Sequence, residues 1–590
     1  VFITGYQGQT VITLISSPYQ SFSSERLLID STQRIPTMTI STRSEMPTID
    51  GSAESVATTL TDTAFVRVIC RSNGDAIAAA GLLARALRRE STPFQIRADQ
   101  FGHANPTVTD QDDGCCIALG LSHPAADINI NPVERSVTRS VYAVTEALTT
   151  PTHASESGVD TTDDVSGEDV NITIPPTDTL LALAGIITTG VSLETKSASN
   201  NQEQTQAQSQ TTDDSGFATS LLETLTTTDT VSVDQQPGVG IPISNVVDGL
   251  AHSTLMHASF SGDVDATQAM MAEIDLDVDI DAHSSEGDDQ GEFTDAVSLI
   301  NLSDEDQRTI ASAVTIDVIK ASTPTVGTAI SLEQALHPQY LPDGPMTTIE
   351  GYADVLRAVS RERPGTAIAF AISHDASDAA LSAWREHAQA VHHILQTAHT
   401  GRYDGVYLLR CRDHDEFQDS STTSGPDETS STTESGRTET DSSVGDISTP
   451  GRLLTVAELA SRYQTPESLV LAIGEEVVAV ATQPTRDTQS TSTTVDAVVV
   501  AEALRTNIDI ETTDIPAENN AVSQMDSTTT PAESDDVDDG ANAGDTGDDE
   551  INQMQDGWVG DANQALVRVN STVPPAEIIA VVRELTREES

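Results

Sequence analysis

The loop "RSNGDA", residues 71–76, carries three side chains capable of chemistry: Arg71, Asn73 and Asp75. It follows "AFVRVIC" (64–70), which reads as a strand, and opens "DAIAAAGLLARALRRE" (75–90), which reads as a helix with Ile77, Gly81, Ala84 and Leu87 on one face. In open α/β sheets, loops at the carboxyl ends of strands are where ligands bind. A guanidinium placed there can hold a phosphate through two parallel hydrogen bonds. One carboxylate is too few for a hard divalent cation, which needs several oxygen or imidazole donors; Asp75 alone would hold at most a weakly bound, water-rich Mg²⁺.

Other candidates read more simply as structure. His392 and His393 are adjacent on a helical run and diverge by about 100°, so they do not share a metal on one face. Cys411, Asp413, His414 and Asp415 in "CRDHDEF" are ligand types, but they open a long polar tract. His252 and His257 flank "STLM" and read as packing or strand-contacting residues. Arg85, Arg88 and Arg89 end the helix after the loop, where cations meet the negative end of the macrodipole. Gly238 and Gly240 lack the third glycine of a dinucleotide loop, which sets NAD aside. Cys70, Cys115, Cys116 and Cys411 have neither zinc-ligand spacing nor a disulfide framework and read as small core residues.

The elements that must position the loop alternate in type. Strands are expected at "FQIRA" (94–98), "CCIALG" (115–120) and "ADINI" (126–130), then helices at 135–148 and 177–190. This order predicts a mainly parallel sheet with helices packed on its faces. Helices follow at 266–274 and 303–320, the latter with Ser303 as N-cap. A second α/β pattern has helix 348–362, strand "TAIAFAI" (366–372), helix 380–398, strand 405–411, a strand pair turning at Gly474, strand 564–570 and helix 575–588. Tracts at 152–171, 192–216, 278–293, 413–450, 483–494 and 526–556 hold too little apolar surface to offset their ordering entropy and read as disordered insertions.

The fold class is therefore α/β, with two α/β domains joined by a helical connector. Residues 1–60 read as a disordered N-terminal extension, its first 45 residues an over-extended reading frame or a disordered tail before Met46. Residues 61–260 form the first domain, 261–345 the connector, and 346–412 with 451–590 the second domain, interrupted by the acidic insertion 413–450.

Acidic residues outnumber Lys plus Arg by 92 to 29, for a formal charge of −63, and lysine occurs only at Lys196 and Lys320. The acid is spread over the domains instead of forming one tail. This pattern fits a halophilic cytoplasm at molar salt, where the Debye length falls to about 3 Å and self-repulsion is screened. No apolar run approaches the roughly 18 residues that cross a bilayer, and the N-terminal residues lack the positive flank of a secretion signal. A cytoplasmic protein without membrane association is expected.

The order of these segments resembles the DHH phosphoesterase superfamily, in particular its RecJ-like exonucleases. Their first motif is a strand, His-x-Asp-x-Asp-Gly and an Ala/Gly-rich helix; here Arg71 stands at the His, Asn73 at the first Asp, Asp75 at the second and Ala76 at the Gly. Ala118 stands at the Asp of a following Asp-x-Gly and Gly120 at its Gly, "NPVERS" (131–136) lacks the eponymous histidines, and Gly190 takes a further acidic position. "GVGIPISNVVDGLAHSTLMHASFSGD" (238–263) resembles the connector, and "GYADVLRAVSRERPGTAIAFAI" (351–372) the opening of the second domain, with Arg357 at an Asn, Ser360 at a Gly and Arg361 at a retained Arg. The closing Gly-Gly-Gly-His loop is missing before "QALVRVN". The likeness covers about residues 60–410 and, less closely, 451–590.

The resemblance implies a DHH-like and a smaller DHHA1-like domain in a protein of DNA replication or repair. Catalysis in that family uses two divalent cations. With Asn73 and Asp75 as the residual motif positions, it implies an impaired pseudoenzyme without cofactor, its metal position at Asp75 weak or vacant. Single-stranded nucleic acid would meet Arg71 and Arg361, and replication proteins such as GINS are partners by analogy. Two alternatives stand beside this. One is an active Mg²⁺- or Mn²⁺-dependent exonuclease or phosphoesterase whose missing ligands come from Asp127, His252 or Asp263. The other is a protein-interaction scaffold without nucleic acid binding.

Overall fold

The computed structural model describes residues 2–6, 9–14, 52–101, 114–149, 174–193, 214–274, 297–411, 449–483, 496–508, 558–570 and 573–588, apart from short gaps within these ranges. The polar tracts named above lie wholly or almost wholly outside the described residues.

The chain runs β1 (Phe2–Tyr6), β2 (Gln9–Leu14), α1 (Ala53–Thr61), β3 (Val66–Arg71), α2 (Gly74–Arg89), β4 (Phe94–Asp99), β5 (Cys115–Leu119), β6 (Ile128–Ile130), α3 (Val137–Thr149), α4 (Pro176–Ile187) and α5 (Asp214–Thr227). The first sheet has the order β1-β2-β4-β3-β5-β6. Its centre is parallel, with Val68 opposite Ile96 on one side and Ile117 on the other. Alternation puts Val66, Val68 and Cys70 in the large core under α2, while Ile69 joins Cys116, Ala118 and Leu121 in a small cluster on the other face.

Next come β7 (Ser232–Val233), α6 (Val246–His252), α7 (Val264–Ala272), α8 (Asp304–Ala321), α9 (Val326–Leu336) and β8 (Gln339–Tyr340). Ser303 caps α8 in a reciprocal box with Asp306, as its spacing before an apolar run predicts. Then follow α10 (Ile349–Glu362), α11 (Pro364–Ile372), α12 (Ser377–Thr397), β9 (His399–Tyr403), β10 (Val406–Arg410), α13 (Pro450–Tyr463), β11 (Leu469–Ile473), β12 (Val477–Thr482), α14 (Ala497–Asn507), β13 (Trp558–Gly560), β14 (Gln564–Arg568) and α15 (Pro575–Glu588). The second sheet has the order β13-β14-β12-β11-β10-β9. Within it only β10 and β11 pair in parallel. Val470 and Ala472 face the core containing α13, and Leu469 and Leu471 face α14 and α15.

Three sequence expectations are corrected or refined. Residues 366–372 are helical, not a strand: Pro364 occupies the first turn of α11, and a short all-apolar run carries no period that separates the two states. Packing decides it, since a Cβ on Gly81 of α2 would meet Ala371 of α11 at 2.7 Å. Second, α10 and α11 pack against the first sheet's helices as well as against α12. Ile349, Tyr352, Leu356, Ile368 and Phe370 share one core with Val68 and Ile77. Third, the expected extension contains structure: Val56, Ala57 and Leu60 of α1 are buried, and the β1–β2 hairpin pairs antiparallel with β4.

Candidate functional site

The carboxyl ends of β3 and β5, the first turns of α2 and α3, the end of α4, and α10 meet α13, α14 and β14 around one cavity of about 570 Å³. Arg71, Asn73 and Asp75 line it from the first domain, Arg357 and Arg361 from α10, and Leu454, Asp496, Val498 and Gln564 from the second domain. Arg135, an exposed residue, also lines it. The sequence-predicted pair Arg71 and Arg361 thus shares one cavity.

The motif's polar residues act on helix ends. Asn73 Oδ1 accepts the Ala76 N–H at 2.9 Å and caps α2. Asp75 is buried, and its Oδ2 and Oδ1 accept the N–H groups of Val137 and Thr138 at 2.8 and 2.9 Å, at the N-terminus of α3. Burial pushes its carboxyl up to about 6, against the lowering effect of these hydrogen bonds. Gly120 turns the chain out of β5 at φ +71°, and a Cβ there would meet Ala76 at 3.0 Å, so the turn requires glycine.

Ala118, which the resemblance sets at a metal-ligand position, is fully buried and offers no donor. Among the described residues no group of three or more His, Cys, Asp or Glu side chains could hold a metal ion. The described residues around Asp75 therefore do not assemble the donor set of a two-cation centre. The substitute ligands of the exonuclease alternative are engaged elsewhere: Asp127 accepts the Cys116 N–H at 2.8 Å, Asp263 caps α7, and His252 pairs with Asp248 at 2.9 Å. None of them lines the cavity.

The opposite wall is an arginine cluster that sequence reading did not assemble. Arg361 Nη1 donates to Thr455 Oγ1 at 2.8 Å and Glu458 Oε2 at 3.0 Å, and Nη2 to Gln564 Oε1 at 2.8 Å. Arg357 Nη1 lies 3.6 Å from Glu458 and Arg462 Nη2 lies 2.6 Å from it. Burial alone would raise the Glu458 carboxyl, yet Arg462, Arg357 and Arg361 together hold it well below the carboxylate range. Burial disfavours the charged form of Arg357, with Glu458 opposing and the other two arginines adding to the effect. The i, i+4 spacing of Arg357 and Arg361 was the legible signal for this wall. Behind it, Thr455 Oγ1 lies 2.9 Å from His387 Nε2, whose Nδ1 lies 3.0 Å from Glu362.

The remaining candidates are structural. Arg85 and Arg89 bind Asp178 at 3.1 and 2.6 Å, in the first turn of α4, and Arg88 is exposed. His392 is buried and stacked on His257, with Nδ1 atoms 3.1 Å apart, while His393 is exposed. The Gly238 and Gly240 N–H groups bond Leu336 and Ala335, at the end of α9. All four cysteines are buried and free. Asp413, His414 and Asp415 lie outside the described residues. Among the described residues no helix is long and apolar enough to cross a membrane.

Residues 437–532 match the family described as "Uncharacterized protein rrnAC1427, C-terminal domain". Among solved structures, CDC45 from Entamoeba histolytica superposes with a TM-score of 0.41 at 8% identity, covering 73% of this chain and 88% of that one. RecJ from Thermus thermophilus in complex with Mn²⁺ superposes at 0.36 and 9% identity, covering 92% and 56%. The Haloarcula marismortui protein rrnAC1427 is 30% identical over 479 residues, which span 79% of this chain and 96% of the relative. Identity at that level over nearly the whole relative shows that this chain belongs to the family of rrnAC1427.

Proposed function

We propose that this chain is a catalytically impaired RecJ-like protein of DNA replication or repair, whose interdomain cleft binds single-stranded nucleic acid without a bridging metal. The observation that carries this reading is the meeting of Arg71 and Arg361 on one cavity whose motif carboxylate, Asp75, serves a helix terminus. In a chain with 92 acidic and 29 basic residues, four arginines around one cavity are a marked local concentration. Guanidiniums and the first turn of α2 are the donors on offer to phosphate oxygens. Molar salt suppresses the counterion-release part of the affinity, so direct hydrogen bonds and stacking must carry the binding.

The test is binding of labelled oligo-dT in EDTA and molar KCl. Wild type should bind, Arg71→Ala and Arg361→Ala should each weaken binding, and Arg89→Ala, whose side chain is held by Asp178, should weaken it less. Equal affinity of wild type and the Arg71/Arg361 double variant would favour the scaffold reading, in which replication proteins such as GINS are the partners.

A further inference from the structure

The cavity lies where the parallel strands of the first sheet end. It draws Asn73 from the loop after β3, Gln100 from after β4, Gly120 from after β5, and Asn131 and Arg135 from after β6. Carboxyl ends of strands are where α/β sheets present side chains to a ligand. Much of the lining is already committed. Arg357 and Arg361 are buried and spend their Nη atoms within the wall. Asn73 caps α2, and the carboxylates Asp75, Asp214 and Asp496 accept backbone N–H groups. Gln100, Asn131 and Arg135 differ. Gln100 is half-buried, Asn131 and Arg135 are exposed, and none of the three side chains makes a hydrogen bond or ion pair with another described residue.

Of the two contributions that hold a single strand in molar salt, hydrogen bonding and stacking, the cavity offers only the first. No aromatic side chain stands among the described residues of its lining. Phe101, next in the chain to Gln100, packs into the core that contains α13, with the Arg568 guanidinium 4.4 Å from its ring centroid. The available groups are donors to oxygen: the guanidinium of Arg135 and the carboxamides of Gln100 and Asn131. A guanidinium fork matches two phosphate oxygens, and an amide NH2 donates to phosphate and sugar oxygens alike. The neighbouring carboxylate Asp214 accepts the Ser136 N–H at 2.6 Å and pairs with Arg139 at 3.3 Å, which leaves Arg135 uncommitted.

We infer that the cavity holds the sugar–phosphate backbone of a single strand and leaves the bases outside, with Arg135 as the phosphate contact and Gln100 and Asn131 as donors beside it. This rests on the cleft reading and names the part of the strand that the cleft recognises. Binding is then indifferent to which bases the strand carries and to whether it carries any. A stack-dependent site loses about tenfold in affinity for each stacked base removed. A backbone site keeps its affinity.

The test uses the full chain in EDTA and molar KCl with three labelled oligomers of equal length: oligo-dT, an abasic strand of tetrahydrofuran units, and oligo-dT with a neutral methylphosphonate backbone. The abasic strand should bind as oligo-dT does, and the methylphosphonate strand should not bind measurably. Arg135→Gln should weaken oligo-dT and the abasic strand alike by about tenfold, the loss for one charge-assisted hydrogen bond. Arg135→Lys, which keeps the charge and loses the fork, should fall between. Because Arg135 is exposed, both variants should keep the wild-type Tm, which separates a lost contact from a lost fold. The abasic comparison uses wild type alone and does not depend on the variants. Oligo-dT binding with the abasic strand weaker by about tenfold or more, or unchanged affinity in Arg135→Gln, would overturn the inference and leave the cleft reading standing. No binding of any of the three oligomers by wild type would overturn both.

Discussion

Thr138 is tied to Asp75 twice: its amide N–H donates to Oδ1 at 2.9 Å, and its hydroxyl donates to the Asp75 carbonyl at 2.8 Å. The residue retained at a metal-ligand position of the resembling family thus joins the start of α2 to the start of α3. Asp75→Ala removes the acceptor of two buried helix-terminal N–H groups and should cost about 1–3 kcal/mol in denaturant unfolding. Wild-type protein in Mn²⁺ or Mg²⁺ should show no processive cleavage of single-stranded DNA or RNA. Robust cleavage lost in Asp75→Ala would refute the impaired-enzyme reading.

Glu458 is the shared counter-ion of Arg357, Arg361 and Arg462. Glu458→Gln leaves their buried charges uncompensated and should destabilise the protein by about 3–5 kcal/mol, the range for breaking one side of a buried ion pair. The combined Arg361→Met and Glu458→Leu variant should lose less than the sum of its single changes, because the two sites are coupled. Strict additivity in chemical denaturation would contradict the cluster.

Glu350 is buried, and its Oε2 accepts the Gln339 N–H at 2.9 Å. Burial pushes its carboxyl up to about 8, against the lowering effect of that bond. The folded state then holds a proton that the unfolded chain releases near its ordinary value. The associated stability is fully present below the ordinary carboxylate value and is lost as pH rises through about 8. Glu350→Gln mimics the protonated form, so its Tm advantage over wild type should grow from pH 5 to pH 9. A Tm difference that is flat across that range would show Glu350 ionised throughout.

With a formal charge of −63, the folded domains are expected to depend on screening. Circular dichroism should show structure lost as KCl falls below about 1 M, where the Debye length lengthens beyond about 3 Å. An unchanged spectrum down to about 0.1 M would contradict the account of the charge.

What the sequence determined by itself was local. The loop between β3 and α2, its cap Asn73, the Ser303 box and the β11–β12 hairpin at Gly474 follow from residues a few positions apart, where turn and capping chemistry act directly. The sharing of one cavity by Arg71 and Arg361 was expected from the order of segments resembling a known family, not from periodicity. Tertiary structure decided the rest. Residues 366–372 became helix because an all-apolar run takes its state from its neighbours, here α2 and α10. Asp75 became a cap for α3, and Arg85 and Arg89 partners of Asp178, because those contacts close only when distant helix ends meet. The Arg357–Arg361–Glu458 cluster was half legible as an i, i+4 pair on α10. Its carboxylate comes from α13, and only the packing of the two domains brings that charge into reach.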